Sequence, residues 1–225
     1  MRKDVLFLIL GWTLIALTIP IFLCGLATAW LDSIEIALYS FALPCIISPT
    51  LGLILLSITR TDTSERLRDK EAFAAVALVW PLAVFIGALP YWFGGVFNGP
   101  FTDNIQLMDI ARGAVNSWFE SMSGFTTTGA TVISPAMSPN CIPGSTIDCI
   151  NAQPKGLLIW RSLTQWLGGM GIIMLGMMLL SRVMGGGVAL ARAELTGPSL
   201  SRLRPKVKET AFTLWKIYLG FNFIE

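Results

Sequence analysis

Residues 123–131 read SGFTTTGAT, a run of small and hydroxyl side chains with three threonines in a row and then one glycine. It stands between long apolar stretches. In such a segment the main-chain carbonyls can be turned toward a common axis, where a ring of them replaces the hydration shell of a bare cation. Gly129 suits this use because glycine reaches positive φ without a Cβ penalty. The threonine hydroxyls can bond locally and hold the loop's shape. Taken alone, the same residues also read as a hydroxyl-rich outer loop. The other chemistry-bearing residues are sparse. The chain has no histidine, which removes the commonest general base and the commonest metal ligand. An enzyme would need a nucleophile with a base, or a metal cluster. Ser123 and Lys155 form no recognisable dyad, and acids are nearly absent from the apolar runs. Of the four cysteines, Cys24 and Cys45 lie in apolar runs as packing residues, while Cys141 and Cys149 lie in a polar loop. A zinc site does not fit them, since no CxxC pair accompanies them; a disulfide does, if the loop faces an oxidising compartment.

The elements that must position these residues belong to a membrane protein. Of 225 residues, 54% are hydrophobic and 13% charged, with a mean hydropathy of +0.67, far from a water-soluble domain. A net charge of +2 gives no polyanion or nucleic-acid signal. Apolar runs at Val5–Trp30, Ile36–Thr59, Ala72–Phe97 and Gly156–Ser181 each suffice for a hydrocarbon core that needs about 20 helical residues. A fifth begins at Ala211–Ile224. The first run is too long for the apolar region of a signal peptide, despite the Ala27-Thr28-Ala29 pattern. Pro44, Pro49, Pro81 and Pro90 interrupt the spans, as membrane helices tolerate. Basic residues concentrate in 60–71 and 182–209. The turn at Asp32 and Glu35 has none, and 98–155 has only Arg112 and Lys155. The positive-inside rule then puts the N-terminus, 60–71 and 182–209 in the cytoplasm and 98–155 outside.

Within that outer stretch, 109–122 (DIARGAVNSWFESM) has helical apolar spacing at Ile110, Ala114, Val115, Trp118, Phe119 and Met122. Asp109 is its candidate N-cap. About 21 Å of helix is too short to cross. A short helix followed by an irregular polar stretch is a re-entrant pattern, and such backbone is tolerated at membrane depth only inside protein or beside a water-filled cavity. The helix C-terminus favours a cation at the polar stretch, and Glu120 adds a formal negative charge nearby.

Two blocks, 119–131 (FESMSGFTTTGAT) and 160–173 (WRSLTQWLGGMGII), resemble the Trk-type potassium uptake proteins, the TrkH branch of the superfamily that includes KtrB and the plant HKT proteins. The resemblance implies an all-α integral membrane protein in which two extra helices (1–59) precede four tandem units of helix, pore helix, filter loop and helix. It implies that this chain is an N-terminal fragment. Residues 60–71 would be a cytoplasmic loop. Residues 72–181 would be the first unit, with span 72–97, pore helix 109–122, filter 124–131, outer loop 132–155 and span 156–181. Residues 182–210 would be a cytoplasmic linker and 211–225 the start of a second unit. By position, Thr127, Thr128 and Gly129 become the ion-coordinating segment, flanked by Thr126 and Ala130. The resemblance further implies potassium selectivity, a homodimer, a cytoplasmic nucleotide-binding regulatory subunit (TrkA-like), and a bacterial or archaeal inner membrane. The rival reading is a non-conducting membrane scaffold.

Four further features bear on the site and its surroundings. Arg161, some 9 Å into the fourth span, can snorkel to the surface or bind carbonyls and Glu120 behind the filter; snorkelling is the expectation. Gly168, Gly169, Gly171 and Gly176 permit close helix packing. Trp30, Trp92 and Trp160 fit an outer aromatic belt, and the basic run 202–208 fits anionic lipid or the cytoplasmic partner.

Overall fold

The computed structural model describes residues 3–59, 69–102, 106–172, 213 and 216–220. The chain divides into two compact units, 1–166 and 167–225. In the second, the described residues 167–172, 213 and 216–220 are helical. The expected cytoplasmic linker, Gly176 and most of the fifth apolar run lie outside the described residues, as does 60–68.

The first unit is all-α among its described residues. Its helices are α1 (Lys3–Leu31), α2 (Ile34–Ala37), α3 (Leu43–Ile58), α4 (Asp69–Phe93) and α5 (Leu107–Phe125). A further helix, α6, begins at 155 and runs to the end of the unit at 166. By length and composition, Lys3–Leu31, Ile34–Ile58 and Phe73–Phe93 suffice to cross a membrane. The second of these joins α2 to α3 through a π-helical segment, Leu38–Ala42. Pro44 explains the wide turn. Its ring crowds the carbonyl four residues back, at Ser40, and it has no N–H to offer that carbonyl.

Pro81 and Pro90 lie inside α4, which ends at Phe93 rather than at the expected Phe97. Gly95, at φ +72°, stops it. The Val96 N–H bonds back to the Tyr91 carbonyl at 3.3 Å, the closing bond of a left-handed helix cap. Helices α1 and α3 cross at a glycine pair. A Cβ on Gly11 would stand 2.9 Å from the Gly52 carbonyl oxygen, and the reverse distance is also 2.9 Å. Beside this crossing the buried Ser48 hydroxyl donates to the Leu14 carbonyl at 2.8 Å. Leu14, Ile21, Phe41, Ile86, Phe97, Leu157 and Trp160 belong to one buried cluster drawn from α1, the π segment, α4, its following turn and α6.

Helix α5 is turned inside out relative to a helix of a water-soluble protein. Its buried residues are Gly113, Ser117, Glu120, Ser121, Ser123, Gly124 and Phe125. Leu107, Met108, Val115 and Phe119 are exposed. Polar and small groups pack inward together with Phe125, and Leu107, Met108, Val115 and Phe119 face out.

The outer loop is tied down at several points. Cys141 and Cys149 are joined by a disulfide with Cα atoms 5.2 Å apart. The Gln153 amide donates to Ser138 Oγ at 3.0 Å and to the Cys149 carbonyl at 3.1 Å. Cys24 is buried and Cys45 half-buried, both as free thiols.

Candidate functional site

The polar stretch sits at the bottom of a dip in the chain. Near the start of α5, the Trp92 indole donates to the Ile110 carbonyl at 3.2 Å, level with the end of α4. Eleven residues later, the Ser121 hydroxyl donates to the Val84 carbonyl at 2.8 Å. Helix α5 therefore runs antiparallel to α4 and descends to a point nine residues, or about 14 Å of helix, from its end. The chain then climbs back. Ser138 Oγ donates to the Val96 carbonyl at 2.6 Å, and Asn140 Nδ2 to that of Gly95 at 3.2 Å.

Helix α5 is longer than its sequence pattern predicts, covering 19 residues rather than 109–122. At about 28 Å, its length alone would no longer exclude a crossing. Asp109, Arg112, Asn116 and Glu120 set its composition apart from the three apolar spans. The N-cap position falls on Gln106, with no side-chain cap bond, so Asp109 is not the cap. Asp109 instead pairs with Arg112 on the exposed surface at 3.4 Å. At the other end Gly124 and Phe125 are helical, and the irregular stretch starts at Thr126.

From Thr126 the backbone folds under the helix end. The Thr126 N–H bonds to the Met122 carbonyl at 2.9 Å, Thr127 N–H to Gly124 at 2.9 Å, and Thr128 N–H to Ser123 at 3.0 Å. The Gly129 N–H also points to Ser123, at 3.5 Å. These bonds satisfy the last carbonyls of α5, which a helix end otherwise leaves open. They also orient the peptides. The N–H groups of Thr127, Thr128 and Gly129 share peptide units with the carbonyls of Thr126, Thr127 and Thr128. In a trans peptide the N–H and C=O point opposite ways, and the chain has no cis bond among the described residues. Those three carbonyls therefore face away from α5. Among the described residues, none of them accepts a hydrogen bond.

The stretch is not a simple extended strand. Thr127 lies at φ 56° and Gly129 at φ 73°. Positive φ at a β-branched residue is a genuine outlier, costing about 1–3 kcal/mol, and such strain collects at functional sites. A Cβ at Gly129 would meet only Gln165 Nε2, at 4.0 Å. Glycine is needed there for the backbone, not for space. The Thr126 and Thr128 hydroxyls lie 2.8 Å apart, and the Thr126 hydroxyl also donates to the Met122 carbonyl at 2.7 Å.

The next two carbonyls are held from behind. Ser123 Oγ donates to Ala130 O at 2.6 Å, and Arg161 Nη2 donates to Gly129 O at 3.2 Å. Arg161 Nε simultaneously meets Glu120 Oε1 at 2.7 Å. The other Glu120 oxygen accepts from Thr131 Oγ1 at 3.0 Å and the Val132 N–H at 3.3 Å. Glu120 is 1% exposed and Arg161 18%. This corrects two sequence expectations. Arg161 does not snorkel, because an ionised partner and a carbonyl are both within reach of its fork. Glu120 does not offer a free negative charge to a cation, because the guanidinium neutralises it.

Helix α6 backs the site. Trp160 is fully buried and donates to the Gly87 carbonyl at 3.0 Å, so it is no belt residue. Trp30 is exposed, as a belt residue would be. Gly124 lies so close to Thr164 that a Cβ would collide with the threonine hydroxyl. Sequence reasoning missed Ser123, Thr164 and Asp32, whose roles come from contacts between distant helices. Glu120 and Arg161 carried a readable signal, since two lone opposite charges in apolar surroundings need each other.

Apolar spans, inward-facing polar groups and a chain that dips and returns define a multi-pass α-helical membrane protein. The family model described as "TrkH: Cation transport protein" matches residues 55–225. The chain belongs to this family, which is a family of transporters and not of enzymes. Curated relatives include the Trk system potassium uptake proteins TrkH of Salmonella typhimurium and of Escherichia coli K12. Each is 36% identical over 75% of this chain and 29% of its own length. TrkG of Escherichia coli K12 is 31% identical over 71% of this chain and 28% of its own length. The crystal structure of the potassium transporter TrkH from Vibrio parahaemolyticus superposes with a TM-score of 0.64 at 26% identity, over 98% of this chain and 37% of that one. The chain thus spans less than a third of the length of these curated relatives.

Proposed function

We propose that this chain supplies one of four filter segments to a potassium uptake protein of the cytoplasmic membrane. The observation that carries this reading is the direction of the carbonyls of Thr126, Thr127 and Thr128. They turn away from α5 as a group and accept no bond among the described residues. Thr127 and Thr128 coordinate the dehydrated ion. Thr126 holds the turn, Gly129 supplies the left-handed backbone, and Ala130 closes the loop onto Ser123. Glu120 and Arg161 brace the segment from behind, with their charges cancelled. Residues 72–181 form the first helix–pore helix–filter–helix unit, preceded by two extra helices. The relatives named as Trk potassium uptake proteins support potassium as the cargo. Uptake follows the membrane potential, which supplies about 2.3 kcal/mol per charge per 100 mV. With 60–71 in the cytoplasm, the disulfide-bonded loop faces outward. The complete protein works as a homodimer with a nucleotide-binding cytoplasmic subunit.

The test is rubidium uptake by the complete transporter in a strain lacking potassium uptake. Gly129→Arg puts a long cation at the carbonyl face and abolishes uptake at normal membrane abundance. Unchanged uptake and selectivity would remove this segment from the ion path.

A further inference from the structure

Asp32 lies in the turn between α1 and α2, outside the stretch 55–225 that the family model matches. Its carboxylate reaches the first turn of α6. The Lys155 N–H donates to one oxygen at 3.0 Å and the Gly156 N–H to the other at 2.8 Å. Helix α6 lacks a local side-chain cap, because the residue before it is Pro154, whose carbonyl accepts from the Leu157 and Leu158 N–H groups. The cap therefore comes from 123 residues away in sequence. An anion there also suits the positive end of the helix dipole.

A second contact fixes the same turn. Gly156 sits so close to Thr28 that a Cβ would collide with its hydroxyl. Thr28 is fully buried and donates to the Cys24 carbonyl at 2.7 Å. The start of α6 is thus clamped onto the end of α1 and the turn after it. Arg161 follows Gly156 by five residues, about 7.5 Å along the helix. Its bonds to Glu120 and Gly129, at 2.7 and 3.2 Å, fail if α6 slides, since hydrogen bonds are lost beyond about 3.5 Å.

We infer that Asp32 is a positioning residue for the ion path. It sets the depth of α6, and through it the reach of Arg161 to the Gly129 carbonyl. This rests on the reading of 126–130 as a filter. It gives the two N-terminal helices a task in ion handling beyond anchoring.

The experiment uses the complete transporter and rubidium as the probe. In Asp32→Ala, the KM rises about tenfold, the equivalent of one lost charge-assisted cap, while the maximal rate per transporter at the membrane holds. Asp32→Ala combined with Pro154→Asp gives α6 a local cap without the tie to the α1–α2 turn. That double variant regains abundance and thermal stability but keeps the raised KM. If Asp32→Ala fails to reach the membrane, the double variant alone decides. An unchanged KM in Asp32→Ala, or recovery of both KM and stability in the double variant, overturns the inference. Arg161→Gln run in parallel separates the two levels. A raised KM there with none in Asp32→Ala leaves the filter reading standing and removes Asp32. No effect of either Arg161→Gln or Gly129→Arg removes the filter reading itself.

Discussion

Charge neutralisation behind the polar stretch can be measured with a double-mutant cycle on Glu120 and Arg161. In Arg161→Gln the Glu120 carboxylate stays 1% exposed and keeps only the Thr131 hydroxyl and the Val132 N–H as donors. Breaking a buried pair by removing one partner costs about 3–5 kcal/mol. Arg161 retains 18% exposure, so water softens the pair and the lower end, about 3 kcal/mol, applies. Glu120→Gln is milder. The guanidinium still holds the Gly129 carbonyl and touches solvent, so the loss is about 1.5 kcal/mol, that of a hydrogen bond to a charged group. The double variant leaves two neutral amides of similar shape and costs about 2 kcal/mol in altered hydrogen bonds. The single losses sum to about 4.5 kcal/mol, so the coupling is about 2.5 kcal/mol. In equilibrium terms that is about sixtyfold. The assay is denaturant unfolding of the purified transporter in detergent, followed by tryptophan fluorescence. Losses that add within about 0.5 kcal/mol would mean that the two charges do not depend on each other, and the brace would be refuted.

Further outcomes follow from other contacts. Gly129→Ala, with open space but φ 73°, destabilises by about 1 kcal/mol and lowers discrimination of potassium over sodium, read by competition against rubidium uptake. Gly11→Leu drives a side chain into the Gly52 carbonyl at the α1–α3 crossing; the detergent-solubilised protein melts several degrees lower, and Gly52→Leu does the same. Cys141→Ser opens a disulfide spanning 8 residues, a chain-entropy loss of about 2.5 kcal/mol. Thiol labelling then detects Cys149 without reductant, whereas the parent protein labels at this pair only after reduction. Trp160→Phe loses the bond to the Gly87 carbonyl, costs about 1–2 kcal/mol, and leaves rubidium uptake per transporter intact.

Much of this architecture was readable because lipid simplifies the code. Apolar length marks the spans at Lys3–Leu31, Ile34–Ile58 and Phe73–Phe93 within a few residues, since backbone groups in hydrocarbon must bond within the segment. The boundaries that moved did so for local reasons. Gly95 ended α4 early through its left-handed backbone, and Pro44 widened the helix before it. The position of the polar stretch was legible from its composition, but its geometry was not. A positive φ at Thr127 runs against the residue's own preference and is imposed by bonds to Ser123 and Gly124. The fate of Arg161 depended on whether Glu120 lay within reach of it across two helices, a distance that no spacing in the chain encodes. Asp32 looked like an ordinary turn acid because its partners are backbone N–H groups of a distant helix, which have no signature in sequence.

The reversed polarity of α5 has a consequence for biosynthesis. A nascent segment carrying Asp109, Arg112, Asn116 and Glu120 gains little from entering lipid by itself at the translocon. Ser121 and Glu120 acquire their partners on neighbouring helices only when α4 offers the Val84 carbonyl and α6 offers Arg161. Insertion of α5 therefore trails synthesis of the helix that follows it. Ribosome-stalled chains ending near residue 150 leave a cysteine placed at Ser117 open to a water-soluble maleimide. Chains long enough for α6 to emerge and dock bury that position.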